Sequence, residues 1–367
     1  MHAGAALHID PAAIAENTRL IASRTTAEVM AVVKADAFGH GTAVLTALDH
    51  GATRLGVTSI DEALPLRWRG IAAPILSWLN PVDADFETAI LNRIDIAVPS
   101  IDHLHAIARA ASTTGRAAHV HLHLDTGLAR DGIDSTEWAT LCELARIAEH
   151  ADLIEVHGIM SHLARADVPG DAATRRQVML FRNAVRSARH RGLAPRLLSL
   201  AATAGTLSDP ATHFGMVRIG AGLYGIDPSH TTVLRGAMSL TAPIATVRDV
   251  AAGTGVGYGL GFHTDRRTRL GLVPIGYADG IPRSLSPAAS VLVRDRRVPI
   301  VGAVSMDQLV VDLGDLGVAA GETVAVFGPG DAGEPTIADW AGWAGTIEQD
   351  IVTRIGPRIG RQVAAAA

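Results

Sequence analysis

Residues 29–41 read VMAVVKADAFGHG, an apolar run that ends just before Lys34 and leads into glycines and a helical pattern. A short valine-rich run bounded by turn signals is typical of a strand that is buried on both faces of a parallel sheet. Comparable runs recur along the chain, and we predict that they begin near Arg54, Ile75, Asp95, Ala118, Leu153, Leu197 and Met216.

Helical patterns lie between these runs and supply the crossovers that parallel strands need. Asp10 and Pro11 are typical of a helix cap and a first helical residue, and they predict a helix from residue 11 to about Ser23. Eight strands, most of them followed by a helix, predict an α/β fold with an N-terminal (β/α)8 barrel. The further predicted helices are Gly41–His50, Ile60–Arg69, Ile101–Ala111, Thr136–His150 and Asp171–Arg191.

The composition changes near Ser239. Residues 239–335 are rich in Val, Thr and Gly and contain short apolar runs such as Ser290–Val293 and Leu309–Leu313, with no helical pattern of barrel length between them. This pattern predicts a second, mainly β domain, which the stretch Ala6–Ile9 would join as a strand. We therefore expect a barrel over residues 10–236 and a β-rich C-terminal domain over residues 237–367 together with residues 1–9.

Composition and charge exclude several classes of protein. Of the 367 residues, 48% are hydrophobic and 19% charged, which is ample for a buried core and unlike a disordered chain. The formal net charge is −5 without a block of Lys or Arg, so we expect neither a nucleic acid nor an anionic membrane as partner. Cys142 is the only cysteine, which excludes a disulfide framework. No secretory pattern opens the sequence and no apolar run could span a bilayer, so we expect a soluble, cytoplasmic protein.

Lys34 directly follows the first predicted strand. Functional residues of a (β/α)8 barrel lie at the C-terminal ends of its strands, so this is a position typical of an active site. An amine in a poorly hydrated mouth loses its proton more readily and becomes a nucleophile that can react with an aldehyde. The alternative is a lysine that extends to the rim and is only solvated. Position alone leaves both interpretations open.

Two further loops are typical of phosphate binding. The segments after the last two predicted strands read AATAG at residues 201–205 and RIGAG at residues 218–222. Small residues let backbone N–H groups approach a phosphate, and a threonine hydroxyl adds a donor, although small residues also form ordinary turns. Together with Lys34, these loops predict a phosphorylated aldehyde cofactor.

Three histidines, His119, His121 and His123, alternate along the fifth predicted strand and so face one side of it. Three imidazoles on one face can bind a metal ion, but barrel interiors also stack whichever side chains point inward. We favour packing and predict no metal site.

The segment around Lys34 resembles the cofactor-lysine signature of the alanine racemases. The resemblance runs in the family's order from Ile9 to about Arg361, over nearly the whole chain. The family's fold, a barrel that binds pyridoxal 5'-phosphate (PLP) followed by a β domain, agrees with the fold predicted above. The further matching segments are LDTGLAR at residues 124–130, GIMSH at 158–162, MVRIG at 216–220, VGYG at 256–259, PIGYADG at 274–280 and SMDQ at 305–308.

The resemblance implies a PLP-dependent racemase that interconverts L- and D-alanine with two bases. Lys34 would carry the cofactor and act on one face of the substrate Cα. Tyr258 would act on the other face in the active site of the partner chain, which implies a homodimer with shared sites. The other implied roles are a hydrogen bond from Arg218 to the pyridine nitrogen with His162 behind it, phosphate contacts from Thr203, Gly220 and Ala221, substrate-carboxylate contacts from Arg130 and Met306, and an entrance lined by Tyr277 and Asp307.

Three features depart from the family pattern. Phe38 stands where the family usually has a tyrosine that reaches the phosphate, and no tyrosine follows Tyr277, although the family has a second phosphate tyrosine near its C-terminus. A phenyl ring donates no hydrogen bond, so we predict weaker PLP retention than is usual. His123 replaces a lysine that in many relatives steadies the arginine corresponding to Arg130, and a neutral imidazole carries no negative charge.

Two alternatives stay open. A racemase of this fold could act on serine or on a broader set of small amino acids, depending on the pocket around Tyr258, Tyr277 and Met306. A degenerate, non-catalytic PLP-binding homologue is also compatible with the changes at Phe38 and His123. A PLP-dependent decarboxylase on a related barrel is disfavoured, because those enzymes place an acidic residue at the pyridine nitrogen.

Overall fold

The computed structural model describes residues 4–364. The strands, numbered along the chain, are β1 (Ala6–Ile9), β2 (Glu28–Val32), β3 (Ala52–Val57), β4 (Ile75–Ser77), β5 (Ile94–Val98), β6 (Ala118–His123), β7 (Ile154–Met160), β8 (Leu197–Ala202), β9 (Met216–Ile219), β10 (Met238–Pro243), β11 (Thr246–Val250), β12 (Gly255–Val256), β13 (Phe262–His263), β14 (Thr268–Val273), β15 (Ser290–Val293), β16 (Arg296–Val301), β17 (Leu309–Gly314), β18 (Thr323–Phe327) and β19 (Gly360–Val363). The helices are α1 (Pro11–Ser23), α2 (Lys34–Phe38), α3 (Ile60–Trp68), α4 (Phe86–Leu91), α5 (Ile101–Thr114), α6 (Trp138–His150), α7 (Ala172–His190), α8 (Thr203–Ser208), α9 (Ile337–Ala344) and α10 (Glu348–Arg354).

Strands β2 to β9 close into a parallel barrel, in which β9 pairs with β2 and Val217 lies opposite Val29. The predicted barrel is confirmed, and each strand begins within two residues of its predicted start. Side chains such as Ile96 and Val120 are fully buried between the strands and the surrounding helices. A second apolar cluster, inside the barrel, contains Met30, Leu76, Ala97, Met160, Leu197 and Met216.

Helix α1 begins as predicted, because the Asp10 side chain accepts a hydrogen bond from the Ala12 N–H (2.9 Å) and Pro11 is the first helical residue. The predicted helical segment Gly41–His50 is present and is a 3₁₀ helix. Two crossovers were not predicted, α4 between β4 and β5 and α8 between β8 and β9. Each has only six residues, too few for a helical period to show in the sequence.

A nine-stranded sheet follows the barrel, with the strand order β11-β14-β17-β16-β15-β18-β10-β1-β19. As predicted, β1 joins this sheet: Leu7 lies opposite Leu240 of antiparallel β10 and opposite Arg361 of parallel β19. Helix α9 is fixed to the sheet by the Trp340 indole N–H, which donates to the Val326 carbonyl (2.8 Å). The predicted boundary between residues 236 and 237 stays a prediction. Over residues 4–364, no helix combines the length and apolar character that crossing a bilayer requires.

Candidate active site at the barrel mouth

The chain leaves β2 through a left-handed turn directly after Lys34. Residues 35–38, none of them glycine, have φ between 50° and 56°. Left-handed backbone costs roughly 1–2 kcal/mol for each such residue, so contacts around the turn must offset that free energy. The Ala35 N–H donates to Glu62 Oε1 (2.8 Å), and the Phe38 ring packs on Tyr224 with 4.9 Å between the ring centroids. The turn thereby fixes Lys34 at the C-terminal mouth of the barrel.

The Lys34 amine lies in electropositive surroundings. Burial lowers its pKa below the ordinary value, Arg130 and Arg218 lower it further, and Glu62 acts in the opposite direction. A lowered pKa increases the fraction of neutral, nucleophilic amine near neutral pH. Because the three cations repel one another, an anionic ligand among them would be favoured.

Arg218, on β9, is buried and held by four hydrogen bonds. Its Nη1 donates to the Ser199 carbonyl (3.0 Å) and hydroxyl (2.6 Å). Its Nη2 donates to the Ser161 carbonyl (2.7 Å) and to His162 Nδ1 (3.1 Å). Over residues 4–364 the fifth donor, Nε–H, has no acceptor. Burial, with a contribution from Arg130, lowers the pKa of Arg218 to about 10, so the guanidinium keeps its proton at neutral pH.

His162 is the neutral partner of this guanidinium. Because arginine only donates, His162 Nδ1 must accept, which places the ring proton on Nε2. Burial, followed by the charges of Arg218 and Arg130, lowers the pKa of His162 to about 3. The imidazole therefore orients Arg218 without adding charge.

The two small-residue loops meet beside this group. The Thr203 hydroxyl accepts the Gly222 N–H (3.1 Å), which leaves the hydroxyl proton available to another acceptor. A Cβ atom on Gly222 would lie 2.9 Å from Thr203 Cγ2, and one on Gly220 would lie 2.9 Å from Phe38 Cζ. Both positions therefore require glycine, and the resulting narrow, donor-rich loop is suited to an anion.

The loop that carries Arg130 is held by its own backbone. The Asp125 carboxylate accepts three N–H groups of residues 127–129 at 2.7–2.9 Å. The Arg130 guanidinium is exposed and, within the described part of the chain, has no hydrogen-bond or ion-pair partner. His123 Nδ1 lies 3.4 Å from Asp131 Oδ2. His123 is thus directed to Asp131 and not to Arg130.

The predicted site residues of the second domain lie on its surface. Tyr258, Tyr277 and Met306 are 78%, 40% and 53% exposed. Their loops are neighbours, since the Tyr277 N–H donates to the Ser305 carbonyl (3.0 Å) and the Ala278 N–H to the Met306 carbonyl (2.9 Å). The three side chains are therefore accessible from solvent in the single chain.

A single chain brings together only part of the predicted site. Lys34, Arg218, His162, Thr203 and Gly220 share the barrel mouth, and Arg130 acts on the first three electrostatically. No hydrogen bond or ring contact among residues 4–364 joins Tyr258 to that group. Asp307 pairs instead with Arg358 in its own domain (2.7 Å).

Two residues that support the mouth were not predicted from the sequence. Glu62 holds the left-handed turn, and its position in the first turn of α3 is the only signal it carries. Tyr224 packs on Phe38 and donates its hydroxyl hydrogen bond to the Val32 carbonyl (3.2 Å).

The fold and the mouth define a class: a (β/α)8-barrel enzyme with a nucleophilic lysine beside an anion-binding loop and a buried arginine. Residues 9–228 match the family model of the alanine racemase N-terminal domain, and residues 237–363 match that of the C-terminal domain. The chain therefore belongs to the alanine racemase family, whose members are isomerases that act on amino acids.

Individual relatives agree over the full length. The alanine racemase of Frankia casuarinae is 45% identical over 353 residues, covering 94% of this chain and 92% of that protein. The alanine racemase of Thermobifida fusca is 44% identical, covering 98% of both. Among solved structures, alanine racemase from D-cycloserine-producing Streptomyces lavendulae has a TM-score of 0.97 at 38% identity, covering 100% of this chain and 98% of that one. That of Bartonella henselae, which contains covalently bound pyridoxal phosphate, has a TM-score of 0.89 at 29% identity, covering 99% and 100%.

Proposed function

We propose that this protein interconverts L- and D-alanine with PLP held at Lys34, using Lys34 and Tyr258 of the partner subunit as the two bases. The main support for the proposal is the way in which the Arg218 guanidinium is held. Four of its five donors are fixed by protein acceptors, and only Nε–H is left for a ligand at the mouth. A ring nitrogen that accepts a hydrogen bond would meet that donor.

The residues of the mouth fit PLP in three respects. The Lys34 amine, with its lowered pKa, suits an aldehyde carbon. Thr203 and the backbone of Gly220 and Ala221 suit the phosphate, and Arg218 with His162 behind it suits the pyridine ring. When bound, PLP supplies an electron sink for the electron pair left at the substrate Cα.

The reaction then depends on where this chain's residues hold protons. Racemisation removes a proton from one face of a carbon and returns one to the other, so two bases must flank that carbon. Lys34 would take the proton on one face and Tyr258 of the partner subunit would supply it on the other. Arg218 keeps its own proton and would offer a ring nitrogen only a hydrogen bond, so a bound pyridine ring would stay unprotonated and would be a weaker electron sink. A weak sink favours prompt return of the proton over competing reactions.

The substrate carboxylate would be held by Arg130 and the Met306 backbone N–H, with Tyr277 and Asp307 at the entrance. Arg130 has an exposed guanidinium at the mouth. Tyr258, Tyr277 and Met306 are exposed on the second domain, and no hydrogen bond or ring contact among residues 4–364 joins them to Lys34. A head-to-tail homodimer, in which each subunit completes the other's site, accounts for both facts.

The activity is tested by incubating the purified protein, with added PLP, with L-alanine and quantifying D-alanine by chiral chromatography. Conversion toward an equal mixture is expected. L-serine in a parallel reaction measures substrate breadth. Bound PLP without conversion of either amino acid would contradict the proposal and favour a non-catalytic homologue.

The shared site is tested by mixing two inactive variants, Lys34→Ala and Tyr258→Phe. A mixed dimer contains one site with both substitutions and one with neither. After subunit exchange of equal amounts, half of the dimers are mixed, so about a quarter of the wild-type activity should return. If both bases came from one chain, no activity would return, and this result would refute the proposed dimer site while leaving the racemase activity untouched.

A further inference from the structure

A second group of titratable side chains occupies the end of the barrel opposite Lys34. Asp95, His119 and Glu155 are each the second residue of a strand, β5, β6 and β7 respectively, whereas Lys34 follows the C-terminal end of β2. His157 joins them through an irregularity in β7, where the register passes from Val156 opposite Val120 to Gly158 opposite His121. The N-terminal end of the barrel thus collects two carboxylates and several imidazoles.

Three imidazole nitrogens surround the Asp95 carboxylate at closely similar distances. His119 Nδ1 lies 3.5 Å from Oδ1, His157 Nδ1 lies 3.6 Å from Oδ2, and His121 Nε2 lies 3.5 Å from Oδ2. Hydrogen bonds of this type are usually about 2.7–3.2 Å long. Around a tetrahedral ion with ligands at about 2.0–2.2 Å, neighbouring ligand atoms are roughly 3.3–3.6 Å apart. The distances from the imidazole nitrogens to the carboxylate oxygens exceed those of hydrogen bonds and fall in this range, with His119 facing Oδ1 and His157 facing Oδ2.

Glu155 lies on the side of the His119 and His157 rings that faces away from Asp95. Its carboxylate oxygens lie 3.8 Å from His119 Nε2 and 3.4 Å from His157 Nε2, and the two rings lie 4.1 Å apart between Glu155 and Asp95. Metal-binding histidines commonly donate their second N–H to a carboxylate, which fixes the tautomer. An ion bound at the two Nδ1 atoms would place the ring protons on Nε2, on the side of Glu155.

His121 provides an independent observation. It is fully buried, and neither ring nitrogen has a hydrogen-bond partner among the described residues. A Cβ atom on Gly158 would lie 2.5 Å from His121 Nδ1, so the glycine leaves the space that the imidazole fills. A buried polar group without a partner is destabilising by roughly 1–3 kcal/mol. A water or ion beside Asp95 would satisfy it.

The exposure of the cluster also suits a cation. Arg54 pairs with Glu28, with 2.7 Å between Nε and Oε2. Arg67, whose charge interacts with that of Asp95, donates to the backbone carbonyls of Ile71 and Ala73 (2.7 Å each). The His119 side chain is 41% exposed and that of Glu155 61%, against 7% for Asp95, so an ion could enter from solvent and reach a buried carboxylate.

We propose that this end of the barrel binds one divalent transition-metal ion of the zinc class through Asp95, His119 Nδ1 and His157 Nδ1. These three residues offer ligand atoms within 4.8 Å of one another. Two imidazoles and one carboxylate select zinc-like ions over Mg²⁺ and Ca²⁺. His121 adjoins the fourth position, and Glu155 orients the two imidazoles. The ion ties β5, β6 and β7 together at the end of the barrel that serves stability. These ligands differ from the three alternating histidines of β6, because one of them, His157, belongs to β7. A metal ion here would also differ from the expectation of no metal site.

The test uses tag-free, PLP-loaded protein that has been dialysed against a chelator and then titrated with Zn²⁺ by calorimetry, with Co²⁺ absorption as a second signal. We expect one ion per chain, no binding of Mg²⁺, and a higher melting temperature with Zn²⁺. Wild-type protein that binds no Zn²⁺ would overturn the proposal.

Matched variants locate the ion. His119→Ala and His157→Ala should each lose the bound ion, whereas His105→Ala, which removes an exposed imidazole on α5, should keep it. Glu155→Gln should retain one ion per chain with affinity weakened roughly 10- to 100-fold. Unchanged Zn²⁺ binding in both His119→Ala and His157→Ala would also overturn the proposal. Bound PLP and circular dichroism equal to wild type show that each variant is folded.

Discussion

Replacing Phe38 with tyrosine is expected to tighten PLP binding. The Phe38 Cζ atom, to which a tyrosine hydroxyl would be attached, lies 2.9 Å from the position of a Cβ atom on Gly220. The hydroxyl would therefore enter the loop proposed to hold the phosphate, at a point where the glycine leaves room. A hydrogen bond to a charged group contributes roughly 1.5–3 kcal/mol. Since about 1.4 kcal/mol is a factor of ten, the PLP dissociation constant should fall roughly 10- to 100-fold.

The dissociation constant is measured by removing PLP with hydroxylamine and titrating it back while following the absorbance of the lysine-bound chromophore. Phe38→Leu is the control, because it keeps an apolar side chain beside Tyr224 and adds no donor. It should bind PLP no more tightly than wild type. A folded Phe38→Tyr variant with unchanged or weaker PLP binding would refute the placement of the phosphate beside Gly220.

Three other perturbations have expected outcomes. Gly222→Ala places a Cβ atom 2.8 Å from Ile21 Cδ1 and should lower the free energy of unfolding in urea by roughly 1–3 kcal/mol. Gly342→Ala, in α9, is the control, because its Cβ atom would meet no other atom within 4 Å, and the change should be neutral or stabilising by roughly 0.5–1 kcal/mol. If both variants lost the same free energy of unfolding, the steric explanation for Gly222 would be wrong. Burial lowers the pKa of His40 from 6.5 to about 4, so the unfolded chain binds more protons between these values. The contribution of neutral His40 to stability is therefore fully present above pH 6.5, and roughly 3 kcal/mol of the free energy of unfolding should be lost as the pH falls to 4. In His40→Gln, the free energy of unfolding measured in urea should vary less with pH across that range. An unchanged pH dependence would show that another group causes the loss. The Arg218→Lys variant has three side-chain donors in place of five, so it should melt at a lower temperature and retain less PLP. An unchanged melting temperature and unchanged PLP retention would contradict the role of those hydrogen bonds.

The barrel could be predicted because its strands are buried on both faces and so appear as continuous apolar runs. Lys34 could be placed at the mouth for the same reason, since it follows the first of those runs. The left-handed turn of residues 35–38 could not be predicted. Its sequence, Ala-Asp-Ala-Phe, has no glycine to signal positive φ, and the conformation depends on Glu62 and Tyr224, which lie far away in sequence.

The arrangement of the histidines of β6 could also be predicted only in part. Alternation along β6 places His119, His121 and His123 on one face. The structure separates only His123 from the other two, because His123 faces Asp131 near the mouth, whereas His119 and His121 each lie 3.5 Å from the Asp95 carboxylate. An extra residue in β7 places His157 beside His119. Such an irregularity shifts the alternation of side chains from which the facing residues of a strand are predicted.

The position of β1 between β10 and β19 affects how the molecule is made. During synthesis β1 leaves the ribosome before any barrel strand, yet both of its partners follow the entire barrel. The nine-stranded sheet is therefore completed by contacts of very high contact order, which are slow to form. In the interval, the apolar side chains of Leu7 and Ile9 have no sheet to cover them, and the nascent chain must be kept from aggregating until β19 is translated.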